Sequence, residues 1–297
     1  MIYVIVGPTG SGKTDIACQV AKDFNLPIIN GDAFQIYKEM NIGTAKIDKN
    51  DPLYKNHYLI DLVKPDQSYS VKQYRDDFDK IFPQLLLNNK NTLICGGTGL
   101  YIKAALYDYN FPEEKDNNEG IYEDYSNEQL YEMLIKLDPQ AKEKIHVNNR
   151  KRIIRSLQFY KQNNMSKSDN INSQNHNVRF NNVQILFLNP DREELYQHIN
   201  DRVDKMFDKG LIEEVKNLLE KYHLSLTAFQ GIGYKETIDY LKGLTTLEEC
   251  KELIKKRSRN YAKRQITFFK HQFQTIEFHD KNELINYIIN SINKNSI

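Results

Sequence analysis

The run Gly7-Pro8-Thr9-Gly10-Ser11-Gly12-Lys13-Thr14 follows directly on the apolar run Ile2-Tyr3-Val4-Ile5-Val6 and fits the phosphate-binding pattern GxxxxGK followed by Ser or Thr. Backbone N–H groups of such a loop converge on one anion, the Lys13 ammonium adds a point charge, and the Thr14 hydroxyl suits a magnesium ion. A Gly-rich turn that happens to contain a lysine is the plain alternative. The order of strand, loop and amphipathic helix, with Ile16, Ala17, Val20 and Ala21 on one helix face, argues against it. Which phosphate the cradle holds is left open by these residues.

An NTP-hydrolysing enzyme would place an acid at the end of a second apolar strand to help hold magnesium. The best-placed strand, Thr92-Leu93-Ile94-Cys95, runs instead into Gly96-Gly97-Thr98-Gly99-Leu100-Tyr101, which offers backbone donors and a hydroxyl but no carboxylate. Asp61, in Tyr58-Leu59-Ile60-Asp61-Leu62, is the candidate for the missing acid and keeps a kinase reading open. Asp32 follows Ile28-Ile29-Asn30-Gly31 at a predicted strand end, on the side of the sheet where ligands of open α/β folds collect. A carboxylate there can act as a base. Its competing role is to cap a helix over Ala33 to Met40.

The elements that must position these residues alternate strand and helix: Ile2 to Val6, a helix to about Phe24, Pro27 to Asn30, then Thr92 to Cys95. Such alternation predicts an α/β fold, a P-loop NTPase-like parallel sheet flanked by helices. Near the middle the periodicity turns helical, over Asn127 to Leu137 and Asn149 to Gln162, which predicts an inserted helical domain. The polar stretch Gln162 to Asn182 has little to bury and reads as a mobile loop. Val183 to Leu188 returns to the sheet, and the chain is then helical through Val203 to Leu219 and on to Phe273. The expected division is a core of residues 1–110 and 183–297 with an insertion at 111–182.

At 40% hydrophobic, 27% charged and net charge +1, the chain reads as soluble and globular. Cys18, Cys95 and Cys250 are widely spaced, which suggests neither a disulfide framework nor a zinc site and fits a reducing cytoplasm. No run approaches the roughly 18 apolar residues of a membrane span, and the N-terminal apolar run has no basic leader.

The near-zero net charge hides segregation. Asp108, Glu113, Glu114, Asp116, Glu119, Glu123, Asp124 and Glu128 form an acidic stretch opposed only by Lys115. Two basic tracts follow: Lys142, Lys144, Arg150, Lys151, Arg152 and Arg155, then Lys251, Lys255, Lys256, Arg257, Arg259, Lys263, Arg264 and Lys270. Read as a helix at about 100° per residue, the second tract puts Lys256, Arg259, Lys263 and Lys270 within an arc of about 60°. Ile254, Tyr261 and Phe268 project to nearly the opposite side, so one face can pack while the other meets phosphates. A solvated surface helix is the plain alternative. The second tract and the phosphate loop in the same chain favour nucleic acid.

With these residues in place, the chain resembles the tRNA dimethylallyltransferases, also called isopentenyl-tRNA transferases. The matching blocks are GPTGSGKT from Gly7, NGDAFQIYKEMNIGTAK from Asn30, HYLIDL from His57, YSVKQYRDD from Tyr69 and GGTGLY from Gly96. They continue with DP at Asp138, HVNNRKRIIRSL from His146, RVDKMFDKGLIEEV from Arg202, QGIGYKE from Gln230 and KRQITFFK from Lys263. The order and near end-to-end span are far more specific than a phosphate loop alone.

The resemblance implies transfer of a dimethylallyl group from dimethylallyl diphosphate to N6 of the adenosine just 3′ of the anticodon, in tRNAs reading codons that begin with U. Gly7, Pro8, Thr9, Gly10, Ser11, Gly12, Lys13 and Thr14 would hold the diphosphate, with Mg2+ at Thr14. Arg202 matches the family's catalytic arginine, Asp32 its proposed base, and Thr98 a hydroxyl beside the reacting atoms. The family's RNA contacts map onto Asp32, Ala33, Phe34 and Gln35; onto Lys151, Arg152, Ile153, Ile154 and Arg155; onto Gln230, Gly231, Ile232, Gly233, Tyr234 and Lys235; and onto Lys263, Arg264, Gln265, Ile266, Thr267, Phe268, Phe269 and Lys270. The insertion at 111–182 would bind tRNA. The expected partners are the tRNA anticodon stem-loop and dimethylallyl diphosphate, with no membrane, for a cytoplasmic monomer.

Some features depart from the family pattern. Ala33 stands where the family usually has Ser, the acidic stretch after Phe111 is shorter, the loop from Gln162 lacks the usual Thr-Gly, and no C-terminal zinc finger follows, as in bacterial members. Two other readings stay in play: an adenylate prenyltransferase acting on free nucleotides, which needs neither basic tract, and an RNA-binding protein switched by a nucleotide, for which Asp61 is the best residue.

Overall fold

In a computed structural model of the chain, residues 1–109, 111, 119–175, 177–223 and 227–294 are described. Of the acidic stretch, Glu113, Glu114, Lys115 and Asp116 lie outside the described residues. The strands are β1 (Ile2–Val6), β2 (Ile28–Asn30), β3 (His57–Tyr58), β4 (Thr92–Gly96), β5 (Val183–Leu188) and β6 (Ile276–Phe278). The helices are α1 (Lys13–Phe24), α2 (Val71–Asn88), α3 (Gly99–Leu106), α4 (Asn127–Leu137), α5 (Arg150–Asn163), α6 (Lys167–Asn172), α7 (Arg192–Asp208), α8 (Leu211–Lys221), α9 (Tyr234–Leu241), α10 (Leu247–Gln272) and α11 (Lys281–Lys294). None of the described helices is long and apolar enough to cross a membrane.

All six strands form one sheet in the order β3-β2-β4-β1-β5-β6, and every pairing is parallel. Strands of this kind are covered on both faces, so β1 is buried along its whole length. On one face, Tyr3, Ile5, Leu93 and Leu186 pack with Ile16, Ala17 and Val20 of α1 and with Leu284, Ile288 and Ile292 of α11. On the other, Phe187 meets Phe269 of α10. Neither β6 nor α11 was anticipated, although Leu284, Ile288 and Ile292 carry a four-residue spacing.

Register decides where the loops emerge. Val6 pairs with Gly96, and Asn30 with Cys95, so the phosphate loop, the Gly96-Gly97-Thr98 turn and the chain after Asn30 leave the sheet side by side at its carboxyl edge. The last two approach so closely that a side chain on Gly96 would run into the Gly31 backbone. In the phosphate loop, Gly10 and Gly12 adopt φ of 81° and 85°, a left-handed conformation that glycine takes up without strain.

Local structure decides two points here. The helix over Ala33 to Met40, which Asp32 would have capped in its competing role, is absent: Asp32 Oδ1 takes the Phe34 N–H at 3.0 Å, and the chain then proceeds by turns, with Glu39 and Ala45 at φ of 64° and 51°. The helical stretch through Val203 to Leu219 is divided between two helices, with Gly210 at φ 91° interrupting the helical backbone between α7 and α8.

The chain divides into two compact units, Met1–Leu106 with Phe180–Ile297, and Tyr107–Arg179. Within the second, Tyr122, Leu130, Leu134, Ala141, Ile153 and Leu157 form a core of their own. Ser126 and Gln129 cap α4 reciprocally, and the Arg150 guanidinium donates to the carbonyls of Tyr122 and Tyr125. The polar stretch after Gln162 is not a featureless loop. It contains α6, whose N-terminus is capped by Ser166, and the buried Asp138 carboxylate accepts from the Ser168 N–H at 3.2 Å. Ser and Asn serve there as caps and turn-formers, a use that composition alone does not reveal.

Candidate active site

At the carboxyl edge of the sheet the three adjacent loops, together with α7, α10 and the segment Gln230–Tyr234, enclose a cavity of about 310 Å³. Its phosphate-loop end is cationic. Lys13 donates to the Pro8 carbonyl at 3.3 Å, and burial lowers its pKa, with the Arg202 charge adding to that effect and Asp32 opposing it. Arg202 donates from one terminal nitrogen to Thr9 Oγ1 at 2.6 Å, while its enclosed Nε has no hydrogen-bond partner among the described residues. Burial lowers the Arg202 pKa too, with Asp32 opposing. Two desolvated cations with donors to spare form a site that an anion would complete.

Asp32 is the only carboxylate among the cavity's lining residues. It is held from behind by Asn30, whose side chain accepts from the Asp32 N–H and donates to the carbonyls of Asp32 and Leu59, each at 2.9 Å. The Tyr74 hydroxyl fixes the Asn30 carbonyl at 2.8 Å. Thr98 braces the same turn: its N–H donates to the Gly31 carbonyl and its hydroxyl accepts from the Ala33 N–H, both at 3.0 Å. Tyr261 also lines the cavity; burial pushes its phenol up to about 12, with Asp32 adding and Thr98 opposing.

Beside these polar groups lies an apolar wall. Ile199, Val203 and Met206 recur on one face of α7, flanking Arg202, and Ile254 of α10 joins them. Ile199 also packs against Gly10, which ties the wall to the phosphate loop.

Of the residues singled out from the sequence, Thr9, Lys13, Thr14, Asp32, Phe34, Gln35, Arg202, Gln230, Gly231, Ile232, Tyr234 and Arg264 line this cavity. Gly7, Pro8, Gly10, Ser11 and Gly12 shape the loop without lining it. Ala33 is held by Thr98, the Gly233 N–H is taken by Glu236, and Lys235 is exposed. On α10, Lys263, Ile266 and Thr267 turn away to a separate groove, and Lys270 pairs with Glu277 at 3.2 Å. Phe268 covers Gly99.

Three residues do not suit an RNA-facing role. Gln265 is 4% exposed, and its amide is used between the Thr9 N–H and the Gly97 carbonyl, each at 2.8 Å, so it ties the phosphate loop to the Thr98 turn. Phe269 is buried against Phe187, and Ile153 lies in the core of the second unit. In that unit Lys151, Arg152 and Arg155 are exposed, and Ile154 packs on the core. Asp61 is not in the cavity: β3 ends at Tyr58, and the carboxylate binds the Lys46 ammonium at 2.8 Å and the Tyr54 hydroxyl at 2.6 Å. The acid sought for a hydrolase is thus already taken.

Asn30, Tyr261 and the apolar face of α7 were not recognised as site components, and Gln265, expected to contact RNA, instead ties two loops of the site together. Only the α7 face carried a signal, the spacing of Ile199, Val203 and Met206.

A parallel sheet that presents a phosphate loop beside an isolated carboxylate defines a P-loop α/β protein with an anion-holding reaction cavity. Comparison with known proteins narrows this. The family model described as IPP transferase matches residues 35–272, and that described as isopentenyl transferase matches residues 1–61. A tRNA dimethylallyltransferase of Halothermothrix orenii is 43% identical over 277 residues, covering 91% of this chain and 84% of that protein. The crystal structure of a tRNA delta(2)-isopentenylpyrophosphate transferase from Staphylococcus epidermidis is similar with a TM-score of 0.69 at 34% identity, covering 99% of each chain. A eukaryotic dimethylallyltransferase crystallised acting on tRNA gives a TM-score of 0.77 at 28% identity, covering 94% of this chain and 74% of that one. The chain belongs to the IPP transferase family and is a prenyltransferase.

Proposed function

We propose that this enzyme transfers a dimethylallyl group from dimethylallyl diphosphate to N6 of the adenosine just 3′ of the anticodon in tRNAs that read codons beginning with U. One observation carries the reading: a single cavity joins two cations with spare donors, an apolar wall, and one carboxylate. The diphosphate lies in the phosphate loop against Lys13 and Arg202, and the five-carbon tail faces Ile199, Val203 and Met206. The carbon–oxygen bond breaks, the N6–carbon bond forms, and diphosphate leaves intact. Lys13, Arg202 and the loop amides stabilise the charge that grows on the leaving group. Asp32 accepts the proton that N6 must lose, since the adenine lone pair is delocalised and the amine is a poor nucleophile.

Thr14 lines the same cavity, and its hydroxyl is a hard oxygen donor of the kind that suits magnesium. Thr14 would hold the ion, which would supply further neutralisation of the leaving group. The adenosine must leave its stack to enter, at a cost of a few kcal/mol. Exposed Lys151, Arg152 and Arg155 in the Tyr107–Arg179 unit, with Lys263 on α10, offset that cost by contacts to the anticodon stem-loop. The enzyme acts as a monomer in the cytoplasm.

Labelled dimethylallyl diphosphate, incubated with the protein and either unmodified tRNA or AMP, tests the reading. Label in tRNA alone is expected. Label in AMP would instead identify an adenylate prenyltransferase, and label in neither would overturn prenyl transfer altogether.

A further inference from the structure

The cavity is also walled by Gly43, Thr44 and Ala45 and by Tyr234. The first of these segments belongs to no helix or strand, and Ala45 sits at φ 51°. One carboxylate holds it. Glu214 of α8 accepts from the N–H groups of Asn41 at 2.9 Å and Ile42 at 2.8 Å through Oε2. Through Oε1 it accepts from the Gly43 N–H at 3.2 Å and from the Tyr234 hydroxyl at 2.7 Å. Three consecutive amides and a phenol nearly fill the acceptor capacity of a carboxylate. Runs of amides like this commonly bind external anions, and here the anion is the protein's own.

The same contact fixes the two wall segments against each other. A Cβ on Gly43 would lie 2.5 Å from Tyr234 Cε2, so the ring rests directly on the backbone. Burial, with the Glu214 charge adding, raises the Tyr234 pKa well above the ordinary tyrosine value and keeps the phenol a donor.

We infer that Glu214 is a positioning residue for the acceptor nucleotide, setting the gap between the Gly43–Ala45 segment and Tyr234. This rests on the proposed transfer to RNA. The donor's diphosphate is assigned to Lys13, Arg202 and the loop amides, none of which touches Glu214. The acceptor amine must reach Asp32, and Asp32, Phe34 and Gln35 line the cavity from the same excursion of chain, between β2 and β3, that Glu214 anchors a few residues further on, at Asn41 to Gly43. A nucleotide reaching Asp32 therefore lies along the anchored segment.

The test is steady-state transfer to an unmodified anticodon stem-loop RNA, with dimethylallyl diphosphate binding measured by calorimetry. Glu214→Ala should raise the KM for RNA about tenfold, the loss expected for charge-assisted hydrogen bonds, while donor affinity stays within about twofold of wild type. Tyr234→Phe, which keeps the ring and removes one hydrogen bond, should raise the RNA KM by a smaller factor, and Glu214→Gln should fall between them. Should Glu214→Ala fail to fold, the other two variants decide. An unchanged RNA KM, or a parallel loss of donor affinity, would overturn the inference while wild-type transfer still upheld the reading beneath it. A wild-type enzyme that transfers no label would overturn both.

Discussion

The phosphate-loop end of the cavity and the shell behind its Gly43–Tyr234 wall use charge in opposite ways. At the phosphate-loop end, Lys13 and Arg202 are enclosed with hardly any partners among the described residues: one carbonyl for Lys13, one hydroxyl for Arg202, and an Nε with none. In the shell behind the wall the carboxylates are saturated. Glu214 takes three amides and a phenol, and Glu236, 1% exposed, takes the Gly233 N–H at 2.8 Å and pairs with Arg257. Buried polar groups are costly unless satisfied, so spare capacity persists where something else supplies the missing partner. The contrast separates residues that meet a ligand from residues that shape the space around it.

The largest expected effect lies at the unsaturated end. Arg202→Ala removes a fixed cation from the position where leaving-group charge develops, and kcat should fall about 10⁴-fold, in the range seen for arginines that stabilise transferring phosphates. Retention of more than a tenth of wild-type turnover would show that Arg202 holds structure only, and the contrast between the two regions would fail.

Asp32 is a mixed case, since one oxygen is used by the Phe34 N–H while the residue also lines the cavity. Asp32→Ala should slow transfer about 10³-fold, as expected for a general base, with donor binding nearly intact. Single-turnover rates together with donor titration would check this. Unchanged turnover would remove Asp32 from the chemistry and leave it as a cap.

These residues differ in how far the sequence exposes them. The strand, loop and helix from Ile2 to Phe24 are contiguous, so period, glycines and lysine all speak at once, and Asp32 and Thr98 stand at recognisable strand ends. Gln265 and Glu214 do not. Their partners lie 256 and 173 residues away, and a polar residue on an amphipathic helix looks the same whether it meets water or a distant loop. The excursion after Asp32 misleads for the related reason that its conformation is set by Glu214 from outside and by Lys46 reaching back across it to the Tyr37 carbonyl, rather than by local propensity. Charge periodicity located the stripe on α10, yet it could not tell free cations from paired ones.

That last distinction supplies the smallest effect and the finest test. Along α10, Lys255 is held by Asp204 at 3.0 Å and Glu252 at 3.3 Å, and Lys270 by Glu277. Lys263 is exposed and takes part in no ion pair among the described residues; its ammonium lies 6.0 Å from the Tyr196 ring centroid, with the Arg192 guanidinium 5.2 Å from the same ring. The two cations favour negative charge there, and they lower the Tyr196 pKa against the opposing effect of burial. A cation already neutralised by carboxylates releases few counterions when RNA binds, whereas a free one releases nearly one per phosphate met. Lys263→Ala should therefore weaken tRNA binding modestly and reduce the slope of log affinity against log salt by about one, while Lys255→Ala leaves the slope nearly unchanged. Filter binding across a salt series would read both. Equal slopes for the two variants would mean that the RNA backbone does not follow this face of α10, and that the spare charge beside Tyr196 serves something other than the substrate.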